Sequence, residues 1–273
     1  MLRLPAFLLL AVMIVETVQA VSPDSGREKL IATELANDLD LGEILWLETA
    51  AGNEFPAIFY EAFLGHHDTG IILLHGLGAH PDWPDVIAPL RRALPMEGWP
   101  TLSIQLPILS LETPVGFYGE TLRTARARIH AAVRYLSKLG FRNYVLLGYG
   151  FGAATGVHYL THVKKHRIDA FIGVSMMARK FLSPGIDLNA RLREITIPLL
   201  DIYGSRDNPV IVNTAADRRL ALKSADNTVY HQLELPDADH YYAGQSTVLV
   251  EAVSNWLRSV ETMFQIPVGE EPE

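Results

Sequence analysis

The chain has 273 residues, 49% of them hydrophobic, no cysteine, and a formal net charge of -8 from 23 Lys and Arg against 31 Asp and Glu. That length and apolar content suit one large α/β domain with a sizeable core, since single domains of this class run to about 250 residues. The lack of cysteine excludes a lipoprotein anchor, disulfides and thiol chemistry, and the acidic balance argues against a nucleic-acid or anionic-membrane partner.

The first twenty residues carry the three parts of a secretory signal peptide: Arg3 as the positive region, an apolar core over 4–15, and the small-residue cleavage site Val18-Gln19-Ala20. The apolar run is shorter than the roughly 18 residues a membrane span needs. Cleavage after Ala20 is therefore expected, with a periplasmic location and no stable membrane anchor afterwards. Export without disulfides suits a bacterial periplasm, and no Asn-x-Ser/Thr acceptor occurs.

The mature domain is expected over 21–266. It begins with a short amphipathic helix at 27–37, then two strands, 44–49 and 55–63, separated by the turn signal Ala51-Gly52-Asn53. From there buried strands alternate with helices, which specifies a mostly parallel twisted sheet covered on both faces. Strands are predicted at 71–75, 101–105, 144–148, 170–174, 199–203 and 229–235. Helices are predicted at 83–94, 117–139, 152–165, 210–224 and 247–264. The tail 267–273 is acidic, has nothing to bury, and reads as disordered.

Four segments carry the chemistry. Gly70-Ile71-Ile72-Leu73-Leu74 leads into His75-Gly76-Leu77-Gly78; Val145-Leu146-Leu147 leads into Gly148-Tyr149-Gly150-Phe151-Gly152; a third strand leads into Gly204-Ser205-Arg206-Asp207; and Leu235-Pro236-Asp237-Ala238-Asp239-His240 closes the series. In this order they resemble the α/β-hydrolase superfamily over about 44–257, and in particular an uncharacterised bacterial exported family placed distantly within it. The resemblance implies an α/β-hydrolase fold in which 148–152 is the nucleophile elbow. Such an elbow lifts a serine above the sheet on a sharp strand-to-helix turn. Here Gly150 stands at the serine position, so no hydroxyl can attack a carbonyl and no acyl-enzyme can form there.

The resemblance also implies that Asp207 orients His240, and that the backbone N–H groups of Leu77 and Phe151 form an oxyanion hole. These amides survive loss of the serine and can still bind a carbonyl or carboxylate at a helix N-terminus. The competing reading makes Asp207 a cap for a helix near Pro209 and His240 an ordinary loop residue. Ser175 and Ser205 follow other strands on the same rim and are weak alternatives to the missing nucleophile. Tyr149 should point away from the vacant position, and Asp237 and Asp239 read as turn residues. Trp83, Trp99, Tyr241 and Tyr242 read as core and rim packing.

His158, His162 and His166 recur every fourth residue after the elbow. Without an acidic third ligand they read as ordinary histidines rather than a metal site. The basic run Lys164-Lys165-His166-Arg167 reads as an offset to a helix macrodipole. No metal and no cofactor is implied. Only 176–195 is available for a lid, which predicts an open site, and the Pro- and Leu-rich loop 107–116 is the other segment able to overhang it. The expectation is a non-catalytic module that binds an envelope protein or a small acyl or carboxylate ligand. The alternative is a weak ester or acyl hydrolase using His240 and Asp207.

Overall fold

A computed structural model of the chain describes residues 21–63, 68–177, 182, 184–225, 227 and 229–264. The signal segment, the acidic tail and part of the proposed lid region therefore lie outside the described residues. The helices are α1 (Ser25–Asp38), α2 (Ile87–Ala93), α3 (Leu122–Lys138), α4 (Phe151–His162), α5 (Leu188–Leu192), α6 (Pro209–Asn213), α7 (Ala215–Lys223) and α8 (Ser246–Phe264). The strands are β1 (Glu43–Glu48), β2 (Glu54–Tyr60), β3 (Thr69–Leu74), β4 (Thr101–Ile104), β5 (Asn143–Tyr149), β6 (Ala170–Val174), β7 (Leu199–Arg206) and β8 (Tyr230–Asp239). No helix among the described residues is long and apolar enough to cross a membrane.

The eight strands form one sheet in the order β1-β2-β4-β3-β5-β6-β7-β8. β2 runs antiparallel to β1 and β4, and the strands from β4 to β8 pair in parallel. Parallel strands are buried on both faces, and the alternation within β3 shows it. Ile72 and Leu74 enter the core under α3 and α4, while Ile71 and Leu73 enter the core under α2 and α8. The first core also takes Ile129, Leu136 and Val157; the second takes Leu90, Leu249, Val253 and Leu257. Strand order reverses at β3, which lies between β4 and β5. Ligands of open α/β sheets bind outside the carboxyl ends of the strands at such a switch point.

Several helices are shorter than their periodicity predicts, each for a local reason. The segment 83–94 is helical only from Ile87 and tightens into a 3-10 turn, Leu94–Glu97, at Pro95, because proline has no N–H to continue the ladder. The segment 210–224 breaks at Thr214 into α6 and α7, where the Thr214 hydroxyl donates to the Val210 carbonyl at 2.6 Å and competes with the backbone. The segment 117–139 begins as a 3-10 turn, Val115–Thr121. α4 stops at His162 because Val163 is extended.

Candidate functional site

The site is assembled from four strand ends. β3 and β5 are neighbours in register, Leu74 opposite Gly148, so the loop that follows β3 starts beside the turn that follows β5. That turn is sharp. Gly150 has φ 55° and ψ -108°, its N–H donates to the Val174 carbonyl at 2.9 Å, and α4 begins at the next residue. An L-residue in such a conformation is strained by about 1–3 kcal/mol, whereas glycine adopts it with little penalty. The turn also needs glycine at its far end. A Cβ on Gly152 would sit 2.1 Å from the Leu74 carbonyl oxygen, so the first turn of α4 rests directly on the end of β3.

Phe151 opens α4, so its N–H has no acceptor within the helix. Its ring is buried and meets Tyr118 edge-on at 5.8 Å. Leu77 lies in the adjoining loop, half-buried against the same core. The two amides named from the sequence thus belong to adjacent turns at the switch point.

The loop holding Leu77 is fixed from behind by His75, a residue the sequence marked only as part of a motif. His75 is buried, and its Nδ1 lies 2.7 Å from the Gly76 carbonyl, so this nitrogen carries the proton. Nε2 then accepts from the Leu106 N–H at 2.9 Å and faces the Gln105 amide nitrogen at 2.9 Å. Burial pushes the imidazole down to about 3, and it stays neutral. The chain of contacts continues outward. Arg128 donates to the Gln105 carbonyl at 2.9 Å and forms a two-pronged pair with buried Glu28 of α1 at 2.9 and 2.8 Å. Glu28 also accepts from the Ile108 N–H at 3.2 Å. The start of the loop 107–116 is therefore pinned under α1.

On the other side, Asp207 follows β7 and His240 follows β8. His240 Nδ1 lies 2.7 Å from Asp207 Oδ1. Asp207 Oδ2 accepts from the Ser175 hydroxyl at 2.5 Å, and Oδ1 also accepts from the Asn208 N–H at 2.7 Å. Burial alone would raise this carboxyl. Hydrogen bonds from His240 and Ser175, the charge of His240 and the Asn208 amide outweigh it and hold the group below the ordinary carboxylate value. An ionised Asp207 fixes the His240 proton on Nδ1 and leaves Nε2 with its lone pair. Asp207 thus meets His240 and also bonds the amide of Asn208 before α6.

Both rim serines are committed elsewhere. Ser175 is fully buried with φ 52°, bonded to Asp207 and 3.2 Å from the Tyr242 hydroxyl. The Ser205 hydroxyl accepts from the Asp237 N–H at 2.8 Å. The Tyr149 hydroxyl donates to the His240 carbonyl at 3.0 Å. That contact holds the histidine loop, a role the sequence did not reveal. Asp239 accepts from the N–H groups of Tyr241 and Ala243 as a turn residue, and Asp237 has φ 57°. Trp99 and Tyr242 are buried, while Tyr241 is exposed.

His158 and His162 stack with ring centroids 3.8 Å apart, and His162 Nδ1 lies 2.9 Å from the His158 carbonyl. Among the described residues no three His, Asp or Glu side chains converge as metal ligands. α5, in the segment between β6 and β7, packs on α4 and α7.

A family model described as "Protein of unknown function (DUF3530)" matches residues 14–121 and 118–259. The chain belongs to this family. The fold is that of the α/β-hydrolases. It is similar to the Pyrococcus furiosus esterase Pf2001, at 18% identity and TM-score 0.67 over 82% of this chain and 93% of that one. It is likewise similar to Est1E from Butyrivibrio proteoclasticus, at 17% identity and TM-score 0.64 over 81% and 99%. A third likeness is to XC6422 from Xanthomonas campestris, described as an α/β serine hydrolase without a lid, at 16% identity and TM-score 0.61 over 85% and 98%. No curated protein matches the sequence. At these identities the likeness extends to the fold alone.

Proposed function

We propose that this is an exported pseudoenzyme: an α/β-hydrolase scaffold that binds a small acyl or carboxylate ligand, or an envelope protein, at a site that no longer performs serine hydrolysis. One observation carries the reading. The elbow passes through Gly150 at φ 55° and ψ -108°, while the two candidate replacements on the same rim, Ser175 and Ser205, are held in structural hydrogen bonds. The Leu77 and Phe151 amides can donate to a carboxylate or carbonyl, and the lone pair of His240 Nε2 can accept from a donor group on the same ligand. Export rests on the signal-like first twenty residues, and predicts a mature chain that begins at Val21 in a periplasmic fraction.

A second reading is favoured by the intact Asp207–His240 pair, which could activate water for slow ester or acyl hydrolysis. Loss of the nucleophile in a triad enzyme costs about 10⁶ in turnover and leaves about 10³ over water. Hydrolysis of short-chain chromogenic esters separates the two. On the binding reading the mature protein is silent, Gly150→Ser turns over, and adding His240→Ala to that variant abolishes it. Turnover by the unaltered protein that His240→Ala removes would overturn the pseudoenzyme reading.

A further inference from the structure

A second cleft lies at the opposite pole of the sheet. β5 starts at Asn143 and ends at Tyr149, so its two ends are roughly 20 Å apart at about 3.3 Å per residue. The elbow follows the far end; the cleft opens beside Tyr144 at the near one. It has a volume of about 400 Å³ and is lined from α3 by His130, Val133, Arg134, Ser137 and Lys138, with Tyr159 of α4 and, from the loop after it, Lys165 and Arg167. This is within the size range of small-molecule sites.

Its charge is at odds with the rest of the chain. In a protein with eight more acidic than basic groups, four permanent cations surround this hollow and no carboxylate lines it. Among the described residues none of the four is in an ion pair. The two arginines are held by neutral partners instead. Arg134 donates to the Glu48 carbonyl at 2.8 Å, and Arg167 donates to the Ser137 hydroxyl at 3.1 Å while stacking on the Tyr144 ring at 5.0 Å. Asp169, which acts on Arg167 through space, is itself bonded to the Tyr144 N–H at 2.7 Å. Neutral tethers restrict each guanidinium without cancelling its charge.

The floor supplies a second observation. Tyr159 is 1% exposed and lines the cleft, so what little of it is accessible faces the hollow, and its hydroxyl makes no hydrogen bond to another described residue. An anion with several acceptor oxygens could accept from this hydroxyl together with the cations above.

We propose that this cleft binds a phosphate group carried on a small alcohol, independently of the elbow. The guanidinium forks of Arg134 and Arg167 match tetrahedral oxyanions, Lys138 and Lys165 add point charges, and Tyr159 donates from below. A macrodipole offset at the end of α3 would account for Lys138. It does not account for Lys165 and Arg167, which arrive from a separate loop. The phosphate could be that of a soluble phosphomonoester or of an anionic lipid headgroup.

Calorimetric titration of the mature protein with glycerol 3-phosphate tests the soluble source, and co-sedimentation with phosphatidylglycerol vesicles, against phosphatidylcholine, tests the headgroup. Saturable binding in either arm is expected, at least about tenfold weaker in Lys138→Glu/Lys165→Glu and weaker in high salt. A charge-matched control, Lys29→Glu/Lys223→Glu, should bind as the unaltered protein does. Tyr159→Phe, a milder change, should weaken binding a few-fold without altering the fold's circular dichroism. No binding in either arm, or equal loss in the control, would overturn the site.

Discussion

At the carboxyl edge of the sheet, Asp207 and His240 form a 2.7 Å pair supported by Ser175, Asn208 and Tyr149. Across from them, the elbow turns through Gly150 with no side chain at all. The acid–histidine arm depends on long-range contacts between β6, β7 and β8, whereas the elbow depends on backbone conformation and on a glycine packed against β3. The comparison shows that the Asp207–His240 pair is assembled without any side chain from the elbow position.

The sharpest way to break this comparison is to restore the serine and then damage the other arm. In a Gly150→Ser background, Asp207→Asn should lower ester turnover by about 10⁴, the scale seen when a triad acid can no longer hold the histidine tautomer. A drop of less than tenfold, measured by the same chromogenic assay, would mean that Asp207 and His240 are only packing partners. Within the elbow the next effect is steric. Gly152→Ala should cost more than about 3 kcal/mol in a denaturant titration, because its Cβ meets backbone at 2.1 Å. Gly150→Ala should cost about 1–3 kcal/mol through φ alone. Equal costs at the two positions would show that the elbow is not seated on β3.

How much of this was legible follows the same division between local and distant causes. All eight strands are legible in the sequence, β2 to β7 as apolar runs because their residues are buried, and the edge strands β1 and β8, which are largely exposed, by alternation and flanking turn residues. The elbow is visible as Gly148-x-Gly150-x-Gly152, since close approach and positive φ both demand glycine. Asp207 and His240 are named from chain order, and the fold puts them 2.7 Å apart. Ser175 was weighed as a nucleophile, yet it is an Asp207 partner; only the adjacency of β6 and β7 brings it there. The break at Thr214 depends on a side chain capturing its own helix backbone. The basic cleft was hidden because Arg134 and Lys138 lie far along the chain from Lys165 and Arg167, so a run of four basic residues looked like a helix end.

A smaller effect separates the arms by pH. In the folded chain His75, behind the Leu77 loop, takes up its proton only near pH 3, while an unfolded histidine does so near 6.5. Between those values the unfolded chain binds more protons, so stability is complete above about pH 6.5 and falls as pH drops. The loss from His75 should reach about 3 kcal/mol by pH 4.5, with His158, held down to about 4 by burial and His162, adding in the same direction. Asp207 acts lower still, its stabilisation fading only as pH falls below the ordinary carboxylate range. Thermal melts from pH 7 to 4.5 should show the decline, and His75→Gln should flatten it. An unchanged slope in that variant would move the acid sensitivity away from the oxyanion loop.

The smallest change tests whether the histidine arm is held by its own backbone as well as by Asp207. Tyr149 precedes Gly150 in sequence but serves the opposite arm, its hydroxyl donating to the His240 carbonyl and its ring centroid 5.4 Å from the imidazole. Tyr149→Phe keeps the ring and removes one hydrogen bond, which should cost about 1 kcal/mol of stability. If the contact positions His240, the same change in the Gly150→Ser background should reduce kcat a few-fold with KM unchanged, because the imidazole would stray only in the reacting geometry. If it merely packs the loop, stability will fall by that amount while kcat stays put. The first outcome would make Tyr149 the one residue linking the two arms, so that the vacant elbow still sets the histidine opposite it.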